Sequence, residues 1–278
     1  SRRQRQMCIR DRMWQDNCAV IRGVMQKAGI RPEQIAGVGV CGPILTMIGA
    51  FSSLIGVGGA PLLGIRLGEK NEKEASRILA NAFLMLVSLS LVLTAAALFF
   101  TRPMLMAFGA STVTYPYARA YFMIYVSGSV FALLSTGLNQ FVICQGFASE
   151  GMKSVLLGAV LNLLLDPVFI FVLHLGVRGA ALATVLSQGL SCAWVLVFLC
   201  GKKAFLRLRR ENLFVSPKLI LPCVALGLAT FTMQASESVI SVCFNASLLK
   251  YGGDIAVGAM TIPVSYTHLR AHETELHL

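Results

Sequence analysis

Apolar positions gather into six blocks, at residues 43–65, 78–101, 120–149, 154–177, 179–201 and 219–249, each with few or no charged side chains. Each block reaches the roughly 20 residues that carry an α-helix across about 30 Å of hydrocarbon. A shorter apolar run, Ile255–Pro263, begins a seventh. The pattern predicts an all-α, polytopic membrane protein with six complete spans. A β-barrel is excluded, because its strands would alternate polar and apolar over segments of about ten residues. Gly56, Gly58 and Gly59 fall within one block, where small residues let helices approach closely in lipid.

Composition agrees with this pattern. The 278 residues are 56% apolar and 13% charged, with a mean hydropathy of +0.71. A soluble domain carries about 25% charged residues, and a disordered chain needs low hydrophobicity and high charge, so both classes are excluded. Basic residues are distributed unequally between the two sides. The connections after the first, third and fifth blocks hold Arg66, Lys70, Lys73, Arg77, Lys153, Lys202, Lys203, Arg207, Arg209, Arg210 and Lys218, and the opposite ones hold Arg102, Arg119, Arg178 and Lys250. The richer side faces the cytoplasm, and this explains the run Lys202–Arg210 better than a nucleic-acid patch does. The eight cysteines form no C-x-x-C pair, so neither a disulfide framework nor a zinc site is expected. Asn245-Ala246-Ser247 matches a glycosylation sequon but lies within a span, where it is a chance match. His174, near a span end, reads as interfacial.

Two ionisable side chains fall deep within the blocks, Asp166 and Glu237. A charge at membrane depth costs at least a few kcal/mol and is usually kept for an ion or substrate pathway. Asp166 lies near the middle of its block, with Asn162 one turn earlier on the same helical face. Pro167 follows and removes a backbone donor. Asn139 in the preceding span is expected at a similar depth to Asn162, and Thr184 in the following span supplies a hydroxyl. Carboxylate, amide and hydroxyl oxygens suit Na⁺, while a desolvated carboxylate could instead carry a proton. The plainer alternative is that Asn139 and Asn162 only join helices by hydrogen bonds.

Segment 43–263 resembles the MATE (multidrug and toxic compound extrusion) family of transporters. The resemblance is carried by IGVGGAPLLGIRLGEKNEKEA (55–75), GLNQFVICQGFASEGMKSVLLGAVLNLLLDPVFIF (137–171), GVRGAALATVLSQ (176–188) and LLKYGGDIAVGAM (248–260). It implies a bacterial inner-membrane, multi-pass antiporter, not an enzyme, with twelve helices in two six-helix lobes. Such a protein exports amphipathic, often cationic compounds in exchange for Na⁺ or H⁺, works as a monomer among membrane lipids, and needs no cofactor beyond the coupling ion. The six blocks then correspond to the family's second to seventh helices. Residues 43–201 complete the first lobe, 202–218 form a cytoplasmic linker and 219–263 begin the second lobe. The family's cation site maps onto Asn139, Asn162, Asp166 and Thr184, and its acidic position on the seventh helix onto Glu237. The same superfamily includes lipid and lipid-linked oligosaccharide flippases, an alternative function.

The ends read differently. Residues 13–42 combine an amphipathic helix (Ala19–Ala28), a turn and a short apolar strand (Ile35–Val40), a soluble α/β pattern that resembles FGGY-type carbohydrate kinases. Gly37, Gly39 and Gly42 match a dinucleotide fingerprint, but a membrane span rather than a βαβ helix follows, so no nucleotide is implied. Residues 1–12 and 264–278 resemble translated adapter sequence. On this reading the chain is a chimera holding part of a transporter and would not transport as written. A carbohydrate kinase is disfavoured, since no phosphate loop or sugar-binding segment follows Gly42.

Overall fold

The computed structural model describes residues 32–201, 203–208 and 217–274. They form eight α-helices: α1 (Pro32–Gly68), α2 (Glu72–Phe99), α3 (Thr101–Ala107), α4 (Tyr115–Ser127), α5 (Ser129–Cys144), α6 (Ala148–Pro167), α7 (Val177–Cys200) and α8 (Pro217–Thr274). A π-helical turn, Val168–Val172, follows α6. No strand occurs among the described residues. Five helical stretches are long and apolar enough to cross a membrane, and α4 with α5, bent by 54° at Gly128, supplies a sixth. The six expected spans are all present. The bend falls at Ser127-Gly128-Ser129, a Gly/Ser break of the kind that kinks helices.

The helix α1 is the spine of the bundle, packed against α8, α5, α2 and α4. Its glycines make this possible. A β-carbon on Gly56 would lie 2.9 Å from the Gly137 carbonyl oxygen of α5. One on Gly58 would overlap the Cys223 carbonyl of α8, and one on Gly227 would overlap the Leu54 carbonyl of α1. Polar pairs reinforce the contact: Ser238 Oγ donates to the Pro43 carbonyl at 2.7 Å, and Gln234 Nε2 donates to Ser53 Oγ at 3.1 Å. Lipid tails give helices little hydrophobic reason to associate, so close backbone approach and interhelical hydrogen bonds supply the drive.

Two sequence-based expectations are corrected here. Residues 35–40 are helical rather than a strand, and α1 runs unbroken through Gly42 and Pro43. Ala36, Val40 and Cys41 share one helical face and are at most 1% exposed. Gly37 sits so close to α4 that a β-carbon would meet the Ala118 nitrogen and Tyr117 Cβ at 3.0 Å. Burial against α4 thus overrides a local pattern that favours an extended segment. The remainder of the kinase-like stretch, residues 13–31, and the terminal residues 1–12 and 275–278 lie outside the described residues. Residues 255–263, expected as the start of a separate span, continue α8 without a turn.

The connections at one end of the bundle are short and tightly bonded. Asn71 caps α2 by accepting from the Glu74 amide at 3.2 Å. Arg66 pairs with Glu69 at 2.7 Å and with Glu74 at 3.5 Å. Gln145 Oε1 accepts from the Leu206 amide at 2.9 Å, tying the segment after α7 back to the α5–α6 turn.

Glycines at the α1–α8 contact and at an open position of α1 give a paired test. Gly227→Val should lower stability by about 1–3 kcal/mol through overpacking. Gly49→Ala, at a position with open space around the added β-carbon, should be neutral or slightly stabilising. Thermal unfolding of the purified chain in mild detergent compares them, and equal midpoints would show that the α1–α8 approach does not constrain the fold.

Candidate functional site: a polar ladder between α6 and α7

Helix α6 is the least buried of the spans: Leu163 and Leu164 are 73% and 61% exposed, and only Gly151 and Ser154 are buried. Its other face carries a four-residue repeat, Ser154, Gly158, Asn162 and Asp166, which stacks on one side of a helix. The antiparallel α7 answers it in register. Ser191 Oγ donates to the Ser154 carbonyl at 2.8 Å. Gly158 faces Ser191, with no room for a β-carbon between them. Asn162 Nδ2 donates to Thr184 Oγ1 at 3.4 Å, and Thr184 Oγ1 donates to the Ala180 carbonyl at 2.9 Å.

Asp166 is the last rung. Its Oδ1 is buried and has no hydrogen-bond partner in the protein. From α4, Tyr121 reaches Thr184 and lies beside Asp166, and Tyr125 lies beside Gln188. The two tyrosine rings stack at 6.1 Å and are each 7% exposed. The Gln188 Oε1 atom is a second buried acceptor without a partner. One carboxylate among neutral oxygens is a donor set for a hard monovalent cation or a proton. No group of three His, Cys, Asp or Glu side chains gathers among the described residues, so the site does not suit a transition metal.

The structure brings Asn162, Asp166 and Thr184 together and places Asn139 elsewhere. Asn139 Oδ1 accepts from Ser154 Oγ at 3.3 Å, eight residues and therefore about 12 Å along α6 from Asn162. The depth expected from sequence took the span edge at Ser149, whereas the chain reverses at Gly146, whose φ of +90° turns α5 directly into α6. That tight turn sets Asn139 opposite Ser154. Glu237 is also apart: α8 packs against α1 rather than α6 or α7, and Glu237 is half-buried beside Ser238. Sequence reasoning assigned the tyrosines to packing and missed Gln188, although the i, i+4 spacing of Tyr121 and Tyr125, and of Thr184 and Gln188, is visible in the sequence.

Comparison with known proteins places this bundle. The MatE family model matches residues 24–168, more than half of the chain. The chain belongs to the MatE family. Multidrug export protein MepA of Staphylococcus haemolyticus is 27% identical over 220 residues, which are 79% of this chain and 49% of that protein. The FAD transporter of Shewanella oneidensis is 30% identical over 160 residues, covering 56% of this chain and 35% of that one. Among solved structures, an inward-facing multidrug resistance MATE family transporter of the MOP superfamily superposes with a TM-score of 0.83 at 25% identity, over 87% of this chain and 55% of that chain. The MATE multidrug transporter DinF-BH, solved as a ligand complex, superposes with a TM-score of 0.80 at 32% identity, over 86% and 53%. The chain spans about half the length of the curated relatives it matches. The MatE match begins inside the stretch 13–42, and the kinase-like and adapter-like readings of the ends find no counterpart among these proteins.

The level of Asn139 can be read by cross-linking. With the eight native cysteines replaced by serine, Asn139→Cys with Ser154→Cys should form a disulfide under mild oxidation, and Asn139→Cys with Asn162→Cys should not. Disulfides need β-carbons about 3.5–4.5 Å apart. The opposite pattern would restore the depth expected from the sequence.

Proposed function

We propose that these helices belong to a cation-coupled multidrug antiporter of a bacterial plasma membrane, acting as a monomer and exporting amphipathic, often cationic compounds in exchange for Na⁺ or H⁺. The observation that supports this most directly is the buried, unpartnered Oδ1 of Asp166 beside Asn162, Thr184 and Tyr121. A carboxylate held out of water is costly unless something offsets its charge. Na⁺ would do so with the Asn162 carbonyl and Thr184 hydroxyl as further ligands, and a proton would do so by neutralising the carboxylate. Asn139 then serves the site indirectly, by pinning Ser154 and so the angle between α5 and α6. Glu237 is a separate acidic position on α8.

The relative solved as a ligand complex is a MATE multidrug transporter, and for this chain a fluorescent amphipathic cation such as ethidium is a suitable probe. The ladder contains one carboxylate and no basic side chain, which suits a cationic amphipath better than an anionic, lipid-linked cargo. That balance favours drug export over the flippase alternative.

The test is Asp166→Asn in a transporter that carries these helices. Packing is kept and the titratable charge is lost, so the variant should insert normally while efflux of ethidium from loaded cells falls to the empty-vector level. Thr184→Ala, which removes one neutral oxygen, should weaken ion-driven efflux by about three- to tenfold. Export by Asp166→Asn at the unmodified rate would overturn the assignment.

A further inference from the structure

A second site lies at the end of the bundle away from the Glu69–Lys73 turn and is independent of the cation reading. There a cavity of about 630 Å³ opens between the end of α2, the short helix α3 and the start of α4. Two stripes at helical spacing line it. One runs Leu98, Arg102, Met106 and the other Tyr115, Arg119, Met123. Each stripe has the same order at four-residue spacing, an apolar or aromatic side chain, then an arginine, then a methionine, and the first crosses the α2–α3 break at Phe100. No carboxylate lines the cavity, and neither arginine enters an ion pair among the described residues.

The surroundings fix the medium. Phe99 is 83% exposed, Phe100 55% and Val113 55%. Large apolar side chains this open at the end of membrane-length helices belong at the boundary between headgroups and acyl chains, where aromatic residues concentrate. Two guanidinium groups facing one cleft repel each other unless an anion lies between them, and arginine matches phosphate oxygens in a bidentate fashion. The remaining walls are Leu98, Phe99, Met106 and Met123, which offer apolar contact and flexible thioethers, together with the hydroxyls of Thr101 and Thr112. A free phosphate would leave those apolar walls unused, and the headgroup ammonium of a zwitterionic lipid would oppose the two arginines that hold its phosphate.

We infer that this cleft binds an anionic phospholipid, with its phosphate held between Arg102 and Arg119 and an acyl chain along Leu98, Met106 and Met123. Tyr115 then stands at headgroup level. A lipid seated here bridges α3 to α4 and would brace the connection between the second and third spans.

The experiment uses the full chain in dodecyl maltoside, with bound lipid read by native mass spectrometry during titration with dioleoyl phosphatidylglycerol, dioleoyl phosphatidylcholine or inorganic phosphate. Phosphatidylglycerol should bind at least tenfold more tightly than phosphatidylcholine. Arg102→Gln and Arg119→Gln should each weaken it by about tenfold, while Arg178→Gln, at the same end but outside the cleft, should leave it unchanged. Met106→Asn should reduce lipid retention with both arginines intact. All these positions are solvent-exposed, so thermal midpoints should match the unmodified chain and confirm folding. Equal retention of the two lipids, displacement of phosphatidylglycerol by equimolar phosphate, or full binding by the double arginine variant would each overturn the inference.

Discussion

Close backbone contact along α1 is the constraint on which the bundle depends. Within lipid, burying an apolar side chain against another helix gains little over leaving it against acyl chains, so helices associate through dispersion and interhelical hydrogen bonds. Gly56 against Gly137, and Gly58 against Cys223 and Gly227, allow α1 to touch α5 and α8 at main-chain distance. Every larger feature hangs from that arrangement. α5 held against α1 fixes the turn at Gly146, the turn fixes the register of α6, and the register decides which side chains meet α7.

The candidate site follows from this chain of placements. The four-residue repeat on α6 alternates small and polar groups, so that Gly158 lets the helices close while Ser154 and Asn162 bond across the gap. Opposite Asp166 the ladder has no further partner from α7, and the carboxylate is left with Tyr121 nearby and one oxygen unsatisfied. A half-satisfied polar network in a region of low dielectric is costly, and the cost falls on one atom. A small cation or a proton at Asp166 would relieve that cost.

Hydropathy made most of this fold legible. Each of the six apolar blocks is a span, because the bilayer demands both length and internal backbone bonding whatever the side-chain details. The same reasoning misplaced the start of α1. Residues 35–40 alternate small and apolar side chains, a pattern consistent with a strand, and only the burial of Ala36, Val40 and Cys41 against α4 selects the helix. The 54° bend was equally hidden, since Gly128 could sit in a straight helix and the bend depends on what packs there. For the site, Asp166 and Asn162 were readable from spacing along one helix, whereas the level of Asn139 depends on where the chain reverses. Tyr121 and Gln188 have their meaning only through neighbours on other helices.

The position of α6 carries a further consequence. Only Gly151 and Ser154 of this helix are buried, so its packing rests on the narrow face that carries Ser154, Gly158, Asn162 and Asp166. α1 and α5 are held through many side-chain and close backbone contacts, and no single interaction decides their placement. For α6 a few polar contacts do, and the unsatisfied oxygen lies at the end of that series. A ligand at Asp166 would therefore add its binding energy at the joint with the fewest alternatives, where a change of about one or two kcal/mol shifts a helix position most. A coupling ion at Asp166 would thus bear directly on helix position, and a site of the same chemistry on α1 would be without that leverage.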